Sequence, residues 1–487
     1  MKLYLINHEY RYAAEQMLLT LFPDERPDYP EGDPEGDRAE LCLSEGKLKY
    51  TAECRIYNNG QEYFGRAVAD KALIKDELSR AKYLQRIVKL SFYRAALLSG
   101  KAKPVWGALT GIRPGKLLSN LLESGMSDKA ALTKFRRDND VSSERAMLCL
   151  HTAHAGLDCA KSLNSGDICL YVGIPFCPTR CSYCSFVSQS VQKSMKLIPD
   201  YLDALYCEID ATAKVVHELN LHPIAVYMGG GTPTTLSATQ LDELCSRLET
   251  AFDFSTVREY TVEAGRPDTI TKEKLEALKR HGVTRVSVNP QTMDDEVLEA
   301  IGRKHTAQDI LDALDIVASV GGFIVNMDLI AGLPLDTPER FKKTLDTVLA
   351  LNPENITVHT LALKKGSAIM LGDTARPSPE DVGEMIDFAN AVLFSAKYEP
   401  YYLYRQKYMS GGFENIGWQR EHTENIYNIC IMEELCSIVS MGGGASTKLS
   451  LGAGRIERLF NPKYPTEYIE SLERIIDDKR KILEIMS

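Results

Sequence analysis

The sequence predicts an α/β protein built on a parallel sheet, preceded by an α+β domain and followed by a mixed extension. Three observations predict this. From Ile168 onward, short β-rich runs alternate with segments of helical period. Repeated βα units require right-handed crossovers into a parallel sheet, either an open doubly wound sheet or a barrel. The 487 residues exceed one ordinary domain, and 44% hydrophobic with 25% charged residues is a globular composition that excludes extended disorder, a collagen-like repeat or a coiled-coil rod.

The N-terminal domain spans residues 1–165. It opens with a strand at Lys2 to Ile6, a helical stretch from Ala13 to Phe22, and a Pro, Gly and acid-rich connector from Pro23 to Arg38. Two β-patterned runs, Leu41 to Ile56 and Glu62 to Val68, flank Asn59-Gly60, a pair that tolerates positive φ and so signals a hairpin. Helical patterns follow from about Asp70 to Leu98 and again after Arg113-Pro114, where proline suits a first helical turn. The sequence alone assigns this domain no role.

Residues 166–365 carry the regular region. Strands are expected at Ile168 to Phe176, Ile224 to Gly229, Arg258 to Ala264, Arg285 to Asn289, Phe323 to Ile330 and Asn355 to Leu363. Leu202, Leu205, Ile209 and Val216 recur at spacings that keep one apolar helical face against a sheet. Thr271 before Leu275 and Leu278, with Gly282 after them, reads as a capped helix. Residues 366–487 are mixed, end in a charged helix around Tyr468 to Ile485, and are placed to cover a substrate.

Net charge is −10 at pH 7, and the sequence pI is near 5.6, which argues against a chain-wide nucleic-acid footprint. Polar Asn7, His8 and Glu9 interrupt the N-terminus where a secretory apolar core would run, and no apolar stretch reaches membrane-spanning length. A cytoplasmic location is expected. The 12 cysteines are too sparse for a disulfide scaffold, so clustered thiols point to metal. Cys42, Cys54, Cys149, Cys159, Cys169, Cys207, Cys245, Cys430 and Cys436 are scattered and read as buried small apolar residues.

Cys177, Cys181 and Cys184 are different. They sit in one loop, Tyr171-Val-Gly-Ile-Pro-Phe-Cys177-Pro-Thr-Arg-Cys181-Ser-Tyr-Cys184, directly after the first parallel strand. Such spacing can wrap three corners of an iron–sulfur cube and leave one iron open for a small molecule; a zinc knuckle would need a distant fourth ligand. Further polar and glycine signals fall at the ends of the later strands. Gly229-Gly-Gly-Thr-Pro-Thr234 follows the second, Glu263 closes the third and Gln291 follows the fourth. Arg303 lies in Gly302-Arg-Lys-His305, and Asp328 opens Asp328-Leu-Ile-Ala-Gly-Leu-Pro334. In a (β/α) barrel that end is the catalytic face.

This C-x-x-x-C-x-x-C loop and the strand-end signals resemble the radical S-adenosylmethionine superfamily, which implies a partial (β/α)6 barrel. The resemblance implies a [4Fe-4S] cluster on Cys177, Cys181 and Cys184. It also implies S-adenosyl-L-methionine contacted by Tyr171, Gly230, Gly231, Thr232, Glu263, Gln291, Arg303 and Asp328. The glycine turn would admit the methionine end, and Glu263 would bind ribose hydroxyls.

The wording of these motifs is similar to the oxygen-independent coproporphyrinogen III oxidase branch. Thr110-Gly-Ile-Arg-Pro114, Val262 to Ile270, Tyr404-Arg-Gln-Lys407 and Gly411 to Gly417 resemble its HemZ-type coproporphyrinogen dehydrogenase subgroup. The chain departs from the best-known oxidases at two points. Gly173 stands where they have histidine, and Ser185-Phe186 where a fourth cysteine often follows. Related heme chaperones carry His-Asn-x-x-Tyr-Trp, and the comparable stretch here is Glu424-Asn-Ile-Tyr-Asn428.

The resemblance implies that a 5′-deoxyadenosyl radical takes hydrogen from a propionate β-carbon of coproporphyrinogen III or a related tetrapyrrole. Loss of carbon dioxide then leaves a vinyl group. A low-potential donor such as flavodoxin or ferredoxin would supply electrons, and neither nucleic acid nor a membrane span is involved. Propionates call for cationic partners, so Arg405 and Lys407 are the expected substrate contacts, with Lys364 and Lys365 behind them. Gly442 to Ser446 forms either a turn against the cofactor or a structural loop. Two other functions fit the same motifs: heme binding or delivery, and radical chemistry on heme itself.

Overall fold

In the computed structural model, β1 (Lys2–Ile6), β2 (Arg38–Glu45), β3 (Lys49–Asn58) and β4 (Gln61–Asp70) form a sheet in that order. The structure describes all residues except 75, 112, 185–188, 191–193, 363–374, 407–409, 453 and 487. The chain divides into two units, Met1–Leu150 and His151–Ser487.

In the first unit, helix α1 (Arg11–Leu21) makes the crossover that lets β1 and β2 pair in parallel, and two antiparallel pairings add β3 and β4. Asn59 and Gly60 turn the second hairpin with φ of 51° and 75°, as that dipeptide predicts. The run from Leu41 to Ile56, read from sequence as one segment, is two strands. Gly46 N–H donates to the Lys49 carbonyl at 2.9 Å and folds the chain back there. Helix α2 (Glu77–Leu98) starts on an Asp76–Ser79 capping box. It packs Ile87, Val88 and Phe92 with Met17, Leu18, Leu41 and Ile56. Helices α3 (Pro114–Glu123), with its initial proline, and α4 (Asp128–Asn139) follow, and α5 (Ser143–Lys161) begins in this unit and ends in the second.

The second unit is organised by one sheet. Strands β5 (Asp167–Ile174), β8 (His222–Gly230), β9 (Glu259–Glu263), β10 (Arg285–Ser287), β11 (Ile324–Ala331) and β12 (Asn355–Thr360) are parallel and adjacent in chain order. The short pair β6 (Phe176–Cys177) and β7 (Gln189–Ser190) stands apart. This is the six-stranded partial barrel, with strands close to their expected positions. Helix α6 (Ile198–Glu218) buries Leu202, Leu205, Ile209 and Val216 as their spacing requires. Thr271 caps the helix Lys272–Arg280.

Both edges of the parallel sheet are extended by the C-terminal residues. At the β12 edge, β14 (Glu414–Gln419) pairs antiparallel, and β13 (Glu399–Arg405) pairs antiparallel to β14. Two reversals restore direction, so β13 ends on the same side as the barrel strands. At the β5 edge, β15 (Ser437–Gly442) is parallel and carries antiparallel β16 (Ser446–Ser450), which pairs with β17 (Ile456–Phe460). Among the described residues no helix is long and apolar enough to cross a membrane.

The N-terminal end of the barrel is closed by buried polar groups. The helix Ile426–Glu433 presents its first N–H groups to Glu259, with donors Ile426 N at 2.9 Å and Tyr427 N at 3.2 Å. Arg285 donates to the carbonyls of Thr423 and Glu424 at 2.9 and 3.2 Å and pairs with Glu259 at 3.5 Å.

A second buried network braces the first strand. Glu208 on α6 accepts from Gly442 N and Asn461 Nδ2, both at 2.7 Å, and from the Tyr468 hydroxyl. It also pairs with Lys479 at 3.0 Å on the C-terminal helix Leu472–Met486. Both charged side chains are almost wholly inaccessible, at 0% and 3% exposure. Removing one partner leaves an uncompensated buried charge, so Lys479→Met should lose about 3 to 5 kcal/mol in chemical denaturation, and adding Glu208→Gln should recover part of that. A loss below about 1 kcal/mol would show that the pair is hydrated in solution.

Candidate active site at the strand C-termini

The root of the cysteine loop is held by backbone. Beyond the end of β5, Gly231 N–H donates to the Ile174 carbonyl at 2.8 Å and Thr232 N–H to the Phe176 carbonyl at 2.7 Å. A Cβ on Gly231 would stand 2.4 Å from the Phe176 oxygen, so only glycine fits. Gly230 has φ of +108°. The Thr232 hydroxyl donates to Cys177 Sγ at 3.5 Å.

Cys181 and Cys184 share a turn, with Cys184 N–H donating to the Cys181 carbonyl at 3.1 Å and Ser182 N–H reaching the Ile301 carbonyl at 2.9 Å. All three thiols are half-buried. Two buried guanidiniums stand beside them. Arg266 Nη1 reaches Thr179 Oγ1 at 3.0 Å and Cys181 Sγ at 3.8 Å, while its Nε pairs with Asp268 at 3.2 Å. Burial alone would lower the Arg303 pKa, but Tyr183 and Cys181 beside it raise it, and its Nη1 donates to the Asn289 carbonyl. Two guanidiniums at this distance would offset the negative charge of three metal-bound sulfurs.

Glu263 ends β9, whereas Asp328, expected at the end of its strand, lies inside β11, beyond the level at which the intervening β10 stops. Glu263 accepts from the Tyr227 hydroxyl at 2.6 Å. A Cβ on Gly229 would meet the Glu263 carboxyl at 2.9 Å, so glycine at 229 leaves room for this side chain. Burial is the largest influence on Glu263 and, with the nearby Asp328 charge, lifts its carboxyl to about 7 against the Tyr227 hydrogen bond. For Asp328 burial is again the largest influence and would raise it. Hydrogen bonds and charge from His359, with Asn326 and Thr357, outweigh that and hold it below the usual range. His359 Nε2 is 3.9 Å from its carboxylate.

Gln291 adopts a left-handed φ of 67° and bridges to β11, its N–H donating to the Asp328 carbonyl at 2.9 Å. Its side-chain Oε1 is buried with no protein partner. Tyr171 lies in register with Tyr227 and is part of a stack with Tyr227 and Tyr427, ring centroids 4.5 to 6.2 Å apart.

The structure therefore brings together Cys177, Cys181, Cys184, Tyr171, Gly230, Gly231, Thr232, Glu263, Gln291, Arg303 and Asp328 at one end of the sheet. The donor set suits the implied groups. It offers three thiols on one loop with cationic neighbours, a glycine turn packed closely on the root of that loop, two electrostatically coupled carboxylates and an unsatisfied buried amide oxygen. Arg405 ends β13 on the same side, but its Nε and Nη2 both donate to the Gly412 carbonyl, at 3.0 and 2.7 Å. Tyr402 and Tyr404 stack on one face of that strand, and by strand alternation Arg405 leaves on the other. Lys407, Lys364 and Lys365 lie outside the described residues. Gly442 packs against β5: a Cβ there would be 2.3 Å from the Gly173 oxygen.

Sequence reasoning missed Arg266, Tyr227 and His359. Arg266 lies in the quoted Val262 to Ile270 run, and an arginine three residues past a strand-end glutamate is the signal that could have found it.

The superfamily model described as Radical SAM matches residues 171–348. The chain is 39% identical over 385 residues to the oxygen-independent coproporphyrinogen-III oxidase-like protein HemZ of Bacillus subtilis, covering 78% of this chain and 77% of that protein. It is 27% identical to the heme chaperone HemW of Haemophilus influenzae, over 64% of this chain and 77% of that one. Among solved structures, it is similar to the radical SAM coproporphyrinogen III oxidase HemN of Escherichia coli. The TM-score is 0.52 and the identity 25%, covering 66% of this chain and 72% of that chain.

The raised Glu263 carboxyl has a consequence for stability. A carboxyl whose folded pKa lies above its ordinary value contributes stability at low pH and loses it as pH rises through the folded value. The melting temperature of the apoprotein minus that of Glu263→Gln should therefore fall as pH rises from 4.5 to about 7 and level off above that. A difference that does not change with pH would show that Glu263 is solvated.

Proposed function

The chain belongs to the radical SAM superfamily, in its oxygen-independent coproporphyrinogen III oxidase-like group. On that premise we propose that it oxidatively decarboxylates propionate side chains of coproporphyrinogen III or a related tetrapyrrole, forming vinyl groups. The observation that carries this reading is the convergence of three thiols, the 229–232 glycine turn, Glu263 and Asp328 on one strand-end face. A [4Fe-4S] cluster and S-adenosyl-L-methionine are the cofactors of this superfamily, and when bound they supply a low-potential electron and a carbon radical able to take hydrogen from a propionate.

The residues of this chain have separable tasks in that reading. Cys177, Cys181 and Cys184 hold the cluster, with Arg303 and Arg266 compensating thiolate charge. Gly230, Gly231 and Thr232 make room for the methionine end, Glu263 accepts from ribose hydroxyls, and Tyr171, Gln291 and Asp328 complete the pocket. The macrocycle is too large for the barrel interior and rests over the strand ends. There Arg405 holds the Gly412 carbonyl, and Lys407 is the proposed propionate contact. A flavodoxin or ferredoxin is the proposed electron donor.

The segment Glu424 to Asn428 favours turnover over heme delivery. It has no histidine, and its side chains are committed to the fold: Asn425 donates to Thr261 at 3.1 Å and Tyr427 joins the aromatic stack. The test is anaerobic reconstitution with coproporphyrinogen III, S-adenosylmethionine and reductant, with product analysis. Vinyl formation in step with carbon dioxide release is the expected result. Stable heme binding without product would instead favour delivery, and loss of the Soret band from added heme would favour chemistry on heme.

Cys181→Ala should abolish cofactor cleavage. Glu263→Ala should retain iron and bind S-adenosylmethionine ten- to hundredfold more weakly, the loss of one charged hydrogen bond of about 1.5 to 3 kcal/mol. Unchanged affinity in anaerobic titration would remove Glu263 from the site.

A further inference from the structure

Four of the cysteines that sequence reading treats as isolated apolar residues come together at the opposite end of the barrel from the candidate active site. Cys169 lies on β5, Cys430 on the helix Ile426–Glu433, Cys436 just before β15 and Cys159 near the end of α5. The sulfurs of Cys169, Cys430 and Cys436 all lie within 4.8 Å of one another. Cys169 and Cys436 are 3.7 Å apart, and Cys159 is 4.0 Å from Cys430.

Those separations discriminate between chemistries. A disulfide needs sulfurs about 2.05 Å apart, and none of the twelve cysteines forms one. Four thiolates placed tetrahedrally at about 2.3 Å from one ion have sulfur–sulfur edges of about 3.8 Å, between the two distances observed; Cys159, next to Cys430, stands outside the mutual 4.8 Å of the other three and closes inward as the fourth ligand. An iron–sulfur cube carries its thiolates on outer corners and holds them farther apart, so the group is too tight for a second cluster.

We propose that Cys159, Cys169, Cys430 and Cys436 form a structural site for a single tetrahedral divalent metal, with zinc as the ion. The surroundings fit a closed structural centre. Ile224, Ala225, Tyr427 and Ile438 pack around three buried thiols, and Cys159, half-buried, is the side from which an ion enters.

The position explains what the ion does. Cys169 is two residues from Tyr171 on the same face of β5, and Cys430 is three from Tyr427 on one face of its helix. The site therefore lies beneath the tyrosine stack, separated by it from the strand C-termini. It ties four chain segments, one of them the helix that closes the N-terminal end of the barrel against Glu259. Binding converts four thiols to thiolates and releases their protons, with no change of oxidation state.

The test is metal analysis of the full chain purified anaerobically without chelator, with Cys177, Cys181 and Cys184 intact and, separately, all replaced by Ala. One equivalent of zinc per chain in both is expected. Cobalt exchanged into the protein should give the intense thiolate-to-cobalt absorption and visible bands of a tetrahedral sulfur site. Cys430→Ser with Cys436→Ser should lose both. If that variant does not fold, alkylation of the intact protein decides instead: all four thiols should resist reagent until a strong chelator is added. Absence of zinc, a disulfide between Cys169 and Cys436, or iron with acid-labile sulfide in the loop-substituted protein would each overturn the proposal.

Discussion

The backbone contact between the end of β5 and the glycine turn after β8 governs the rest of the site. Two hydrogen bonds, Gly231 N–H to the Ile174 carbonyl and Thr232 N–H to the Phe176 carbonyl, continue the pairing of the two strands past their ends. They determine where Cys177 leaves the sheet. The other side of β5 is braced equally closely. Tyr201 donates to the Gly173 carbonyl at 2.5 Å and accepts from Gly443 N at 2.7 Å, and Glu208 holds Gly442. A loop that must present three thiols is thus rooted between two glycine-lined contacts that admit no side chain.

Charge is distributed along the barrel in a consistent way. At the strand C-termini Arg266 and Arg303 sit by the thiols, while Glu263 and Asp328 share a buried region and are driven apart in pKa, one upward and one downward. At the other end Glu259 and Arg285 neutralise each other and are consumed by backbone groups of the closing segment. At the reactive end Gln291 Oε1 is buried without a protein partner.

Much of this was legible because the signals are local. Period-two and helical patterns located all six parallel strands, and the cysteine loop, glycine turn and Glu263 each sit at the end of a strand the pattern itself defines, while Asp328 falls inside β11. What stayed hidden was non-local or masked by composition. The hairpin at Gly46 to Leu48 was lost because Leu48, 75% exposed, continues the apolar pattern through a turn. Strands β14 and β15 attach the extension to β12 and β5, partners far away in the chain, so its own irregular pattern did not announce β13 to β17. Cys159 and Cys430 are 271 residues apart, and Cys169 and Cys436 are 267 apart, separations at which no spacing rule operates. Arg266 was visible as a letter in a motif, but its task is defined only by the fold that sets it against Cys181.

In the proposed function the cysteine loop and the glycine turn form one site for cluster and S-adenosylmethionine together. Electron paramagnetic resonance of the anaerobically reconstituted, reduced protein tests it directly, with spectra recorded before and after S-adenosylmethionine is added. The signal of a reduced four-iron cluster is expected, with g values that change on addition, because the loop that would hold the cluster and the turn that would hold S-adenosylmethionine are bonded to each other. A cluster signal that S-adenosylmethionine leaves unaltered would contradict it.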